Sequence, residues 1–148
     1  MITILNKQKK YSISAAFLKK SCRLIMQELS VDHFDLTIVL CGKTKIQNLN
    51  KAFRKKDYVA DILSFPAFEN LTPGIVPQKT KFECELGELV ICPEQVAQDA
   101  KKLKQLLLAR LKKLLVHGVC HLLGYTHYTE EEHAVMLPIE EQILNKLG

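Results

Sequence analysis

Four of the chain's five histidines fall between residues 117 and 133, and three of them, His117, His121 and His127, are spaced to share one metal ion. Residues four apart on a helix lie on one face, so the imidazoles of His117 and His121 reach the same point. Gly124 follows where a helix commonly ends in a left-handed turn that glycine adopts cheaply, and such a turn brings His127 back as a third nitrogen donor. Three imidazoles leave a fourth tetrahedral position for water, as in catalytic rather than closed structural zinc sites. The ion lowers that water's pKa towards about 7 and makes hydroxide available at neutral pH. One zinc ion per chain is therefore the expected cofactor, with nickel, copper and iron able to compete for the same donors. His133 stands outside the pattern and reads as an exposed helix residue.

The spacing His-x-x-x-His-x-x-Gly-x-x-His is shared with the metzincin proteases, which carry a glutamate general base directly after the first histidine. Here that position is Gly118. The ligand pattern survives without the protease's base, so a metal-dependent peptidase or amidase is the lesser reading. The general base is unassigned by sequence.

The elements that must hold these histidines follow from periodicity. Residues 2–5 read as a short strand, and Ser12 or Ser14 N-caps a helix running to about Leu29, with Phe17, Leu24, Ile25 and Leu29 as its apolar stripe. Apolar residues alternate with Asp35, Thr37 and Val39 over 34–40, giving a strand that ends near Cys41 and Gly42. A helix over about 44–55 carries Ile46, Leu49 and Phe53 inward, and 62–65 is a strand stopped by Pro66. Residues 67–83, with Pro73, Gly74 and Pro77, read as a loop. Residues 86–91 form another strand, and a long helical stretch, broken near Lys104, runs from Pro93 towards Leu123. A last helix starts near Thr129, which stands at capping-box spacing from Glu132. Strands mixed with helices without strict alternation predict an α+β fold. The expectation is a single domain over 1–148, with one mixed sheet of about four strands packed against helices and the metal site at the end of a long helix in the C-terminal half.

Composition is that of an ordinary globular chain, 47% hydrophobic and 25% charged. The N-terminus has no secretory pattern, and no apolar run approaches the roughly 20 residues of a membrane span, so a cytoplasmic location and no membrane partner are expected. The five scattered cysteines include no Cys-x-x-Cys pair and read as buried reduced thiols. Residues 129–148 hold five acids against one base, which leaves 20 bases against 11 acids over the first 128 residues. A polyanionic partner such as RNA suits that excess.

The histidine segment, read whole, resembles the hallmark of the YbeY family, the bacterial endoribonucleases of ribosomal RNA maturation: His-Gly-x-Leu-His-Leu-x-Gly-Tyr-Asp-His. All three histidines, both glycines, Leu122 and Tyr125 are kept; Cys120 stands where leucine is usual and Thr126 where aspartate is usual. Cys120 preserves an apolar side chain, whereas Thr126 gives up a carboxylate. Leu49-Asn50-Lys51-Ala52-Phe53-Arg54 and Ala60-Asp61-Ile62-Leu63-Ser64-Phe65-Pro66 resemble the family's arginine segment and its Thr-Asp-Val-Leu-Ser-Phe-Pro run, and the strand from Leu86 resembles its Leu-Gly-Asp-Ile. The likeness covers roughly residues 46–140.

The resemblance implies a zincin-like fold and a zinc-dependent cut in single-stranded RNA, with a role in 16S ribosomal RNA maturation and ribosome quality control. Ribosomal RNA and the ribosome are then the expected partners, and DNA is not. It also implies that Arg54 matters for activity; a guanidinium can grip a phosphate with two parallel hydrogen bonds and neutralise charge developing on it. Asp61 and Ser64 have plain alternatives as a turn cap and a strand filler, and Glu88 either orients a ligand histidine or is a surface acid. The non-enzymatic alternative is a ribosome-associated RNA-binding factor with a structural metal, working through lysines such as Lys43, Lys45, Lys101, Lys112 and Lys113.

Overall fold

A computed structural model describes all of residues 1–148. Nine elements follow one another: β1 (Ile2–Asn6), α1 (Ala15–Glu28), β2 (Asp35–Leu40), α2 (Lys43–Arg54), β3 (Ile62–Pro66), β4 (Glu85–Ile91), α3 (Pro93–Lys102), α4 (Leu107–Leu122) and α5 (Glu130–Leu147). The strands form one sheet in the order β1-β2-β4-β3. β1, β2 and β4 run parallel, and β3 is antiparallel to β4 at the edge. This is the mixed four-stranded α+β arrangement that the sequence predicts. The break near Lys104 is also as expected: α3 ends at Lys102, and Lys104 adopts a left-handed φ of 55° before α4 begins.

Both faces of the central strands are buried, because helices cover each side. On one face Leu36, Ile38 and Leu40 of β2 meet Leu86, Leu89 and Ile91 of β4 and pack against α1, α4 and α5. On the other, Val39 and Val90 meet Ile46 of α2 and Leu63 of β3. Strict alternation would put Leu86 opposite to Leu89. A register shift between Asp35↔Glu85 and Leu36↔Gly87 inserts one extra residue in β4 and turns both leucines to the same core.

Two expected inward residues point elsewhere. The buried stripe of α1 is Leu18, Cys22, Ile25 and Met26, and Leu24 is 37% exposed because it stands about 100° around the helix from Ile25. Phe53 is 67% exposed at the rim of α2, where its ring meets Phe65 edge-on at 5.4 Å between centroids. Local apolarity identified both helices correctly, and packing chose the face. Ser14, rather than Ser12, caps α1, its Oγ accepting from the Phe17 amide at 3.2 Å. Thr129 likewise caps α5, accepting from the Glu132 amide at 3.1 Å. Residues 67–84 carry no regular element, as expected.

Cys22, Cys41, Cys92 and Cys120 are buried and free, and Cys84 is half-buried. Burial pushes the Cys22 and Cys120 thiols up to about 12, so they remain protonated, unreactive core groups. No helix is long and apolar enough to cross a membrane.

Candidate metal centre

α4 is the buried spine of the site. Leu111, Leu114, Leu115, Val119 and Leu122 anchor it in the core, which leaves His117 and His121, one turn apart, on the half-exposed face. The helix lies close against the sheet at Gly118, where an added Cβ would meet Ile62 Cδ1 and Leu89 Cδ2 at 2.9 Å. The Ser64 hydroxyl donates to the Gly118 carbonyl at 3.3 Å and ties β3 to the same turn.

α4 ends in a two-bond turn. The Gly124 amide donates to the His121 carbonyl and the Tyr125 amide to the Cys120 carbonyl, each at 3.1 Å. Gly124 takes φ +91°, and an added Cβ would strike the backbone carbonyl of Leu71 from the 67–84 loop. The same turn presents the Tyr125 carbonyl to His121, whose Nδ1 lies 2.7 Å away. It also carries the chain back to His127 beside the other two rings, with centroids 5.0 Å from His117 and 5.1 Å from His121.

Protonation at the two helical histidines follows from their partners. A carbonyl only accepts, so His121 Nδ1 carries the proton and Nε2 the lone pair. His117 Nδ1 lies 2.9 Å from the Glu140 carboxylate of α5 and donates to it, which turns its Nε2 towards His121. The two Nε2 atoms face each other at 2.8 Å. Lone pairs on both would repel at that distance, and a proton or a metal ion between them relieves the repulsion. Burial, and then the neighbouring His117, pushes His121 down to about 4, so it is neutral at physiological pH. His117, His121 and His127 offer ligand atoms within 4.8 Å of one another, a group compatible with one metal ion.

The histidines open onto a cleft of about 940 Å³ that is also lined by Arg54, Asp61, Ser64 and Thr126. Arg54 is the last residue of α2 and is exposed. Its place depends on the buried Asn50, whose backbone carbonyl accepts from the amides of Lys55 and Lys56 and whose side-chain amide donates to the Tyr58 carbonyl at 3.0 Å. Lys55 takes the left-handed conformation that ends the helix there. Asp61 stands just before β3, its Oδ1 accepting from the Ile62 amide at 2.7 Å and its Oδ2 pairing with Arg110 at 3.4 Å.

Glu88 is exposed on β4 and does not line the cleft. The carboxylate that orients a histidine is Glu140, which in sequence is only one of the acids of the last helix. The sole hint was its position on a helix that follows the histidine segment. His133 is exposed and stands apart from the cleft, as expected.

A family model described as Endoribonuclease YbeY matches residues 3–148 of this chain. Among curated relatives of that name, one from Finegoldia magna is 30% identical over 100% of this chain and 94% of its own length. A human one is 32% identical over 99% of this chain and 88% of its own, and one from Phytoplasma australiense is 40% identical over 75% and 73%. A solution structure of a Thermotoga maritima protein shares the fold with a TM-score of 0.61 at 22% identity, covering 99% of this chain and 91% of that one. With a family match almost end to end and relatives at 30% identity or more over nearly the whole length, the chain belongs to the Endoribonuclease YbeY family.

Proposed function

We propose that this chain is a metal-dependent endoribonuclease that cuts single-stranded RNA and acts in 16S ribosomal RNA maturation and ribosome quality control, with residues 1–148 working as one domain. The observation that carries this reading is the convergence of three imidazole donors in a cleft shared with Arg54, in a chain of this family. His117, His121 and His127 hold the ion, and three neutral nitrogen donors favour zinc. Bound there, the ion supplies a Lewis acid and a water acidified to near neutrality.

The chain's own groups do the rest. Glu140 and the Tyr125 carbonyl fix the rings of His117 and His121 by holding their Nδ1 protons, which keeps Nε2 aimed at one point. Arg54 grips the scissile phosphate and offsets charge gathering on its oxygens. The peptidase alternative loses ground, because Gly118 stands where that reaction's glutamate base follows the first histidine, and a Cβ there would press on Ile62 and Leu89. Ribosomal RNA delivered on the ribosome, in the cytoplasm, is the setting this reading implies.

The deciding experiment compares cleavage of a single-stranded RNA by zinc-loaded protein, chelated protein and zinc-loaded Arg54→Ala. Cleavage is expected only with the metal, and Arg54→Ala should lose about 100-fold in kcat with full zinc content. Products ending in a cyclic phosphate would identify the RNA 2′-hydroxyl as the nucleophile. Binding of RNA without cleavage, by loaded protein, would favour the non-enzymatic factor instead.

A smaller change tests the orientation of His117. Glu140→Gln is expected to weaken zinc binding about 10- to 100-fold, read by competition with a chromogenic chelator. An affinity equal to wild type would remove Glu140 from the working parts of the site.

A further inference from the structure

We infer that Arg110 and Lys113 form a second phosphate-binding subsite in this cleft, one that grips the RNA strand beside the phosphate being cut. The inference rests on the endoribonuclease reading and specifies where its substrate runs.

Residues 110, 113, 117 and 121 fall on one stripe of α4 at three- and four-residue spacing, and all four line the cleft. Arg110 precedes His117 by seven residues, about 10 Å along the helix axis. It therefore meets a different phosphate of an extended strand from the one held at the histidines. Lys113 stands one turn nearer, is exposed and makes no ion pair.

Arg110 is bonded far below its capacity. A guanidinium has five N–H donors. Its single bond is the 3.4 Å contact from Nη2 to Asp61 Oδ2, and its Nε is buried without a partner. The side chains of Arg110 and Asp61 are 24% and 25% exposed, so water meets these groups only in part. Asp61 is itself held by the Ile62 amide, so it orients the guanidinium at the cleft. The buried Nε is out of reach of a strand, but the remaining Nη donors on this partly exposed side chain can grip a phosphate in the bidentate geometry guanidinium prefers. Asp61, Glu140 and Glu141 line the cleft as well, so the anionic strand is held by Arg54, Arg110 and Lys113 among three carboxylates.

The test uses a fluorescent single-stranded RNA oligonucleotide with zinc-loaded wild type, Arg110→Ala and Lys113→Ala. Binding is read by anisotropy across a salt series before cleavage sets in, and cleavage is followed in the same samples. Each variant should raise Kd and KM about tenfold with kcat within about twofold of wild type. The slope of log affinity against log salt should become shallower by about 0.7 for each lost contact. Arg110→Ala leaves Asp61 unpaired; should it fold poorly, the exposed Lys113→Ala carries the same test. Wild-type Kd and salt slope in the folded variants would overturn the subsite. Changed slopes without any RNA cleavage by wild type would keep the subsite and sink the endoribonuclease reading.

Discussion

Replacing His121 by alanine is expected to abolish stable zinc binding and to lower RNA cleavage by about a thousandfold or more. His121 has both ring nitrogens committed, Nδ1 to the Tyr125 carbonyl and Nε2 towards His117. Burial holds its pKa at about 4, so it offers its lone pair throughout the physiological range without competition from protons. Alanine removes one of three donors, and the remaining two cannot hold an ion against exchange. The metal's contribution to transition-state stabilisation is several kcal/mol, and each 1.36 kcal/mol is tenfold in rate, so the loss reaches about three powers of ten. Zinc content after gel filtration and cleavage of a single-stranded RNA, beside identically prepared wild type, give the answer. Undiminished cleavage by a zinc-free variant would take the chemistry away from this site.

Gly124→Ala is expected to destabilise the fold strongly for a single added methyl. A φ of +91° lies in the left-handed region, where an L side chain costs roughly 1–2 kcal/mol. The new Cβ also strikes the Leu71 backbone, which cannot rotate away as a side-chain tip can. Together these amount to about 3 kcal/mol, a large share of the roughly 5–15 kcal/mol that holds a domain folded. For a chain of this size that lowers Tm by about 10 °C. The turn also sets the Tyr125 carbonyl against His121, so zinc affinity should fall with Tm. A Tm within a degree or two of wild type would mean that the turn and the loop relax freely.

The difference between what sequence revealed and what it hid has a common cause. The histidine triad was legible because its geometry is local: two residues one helical turn apart, a glycine that ends the helix, and a third ligand just beyond. The four strands and five helices were legible from periodicity, including the break at Lys104. Facing was harder. Leu24 and Phe53 are apolar and nearly in phase with their stripes, yet only the packing of α1 and α2 on the sheet determines which flank is covered. The bulge that turns Leu86 inward has no sequence mark beyond Gly87.

Glu140 and Arg110 were illegible for a related reason. Glu140 lies 23 residues beyond His117, and the antiparallel packing of α5 on α4 makes them neighbours. Arg110 reads as one more base on a helix rich in them, and its distinction is tertiary: a partner on β3's approach and an N–H with none. Arg54 could be singled out only through the family resemblance. Its fixed position comes from Asn50, which with Ile46 is one of the two buried residues of α2.

The contact between Glu140 and His117 also bears on when the site comes into being. His117, His121 and His127, like Arg54, Asp61, Ser64 and Thr126, precede Glu140 in chain order. A chain growing from its N-terminus therefore acquires all three imidazoles before the carboxylate that orients the first of them. Until α5 is made and docked, the nascent chain has metal donors that lack this hold on His117. The full orientation of the histidine cluster therefore waits for the last helix of the chain.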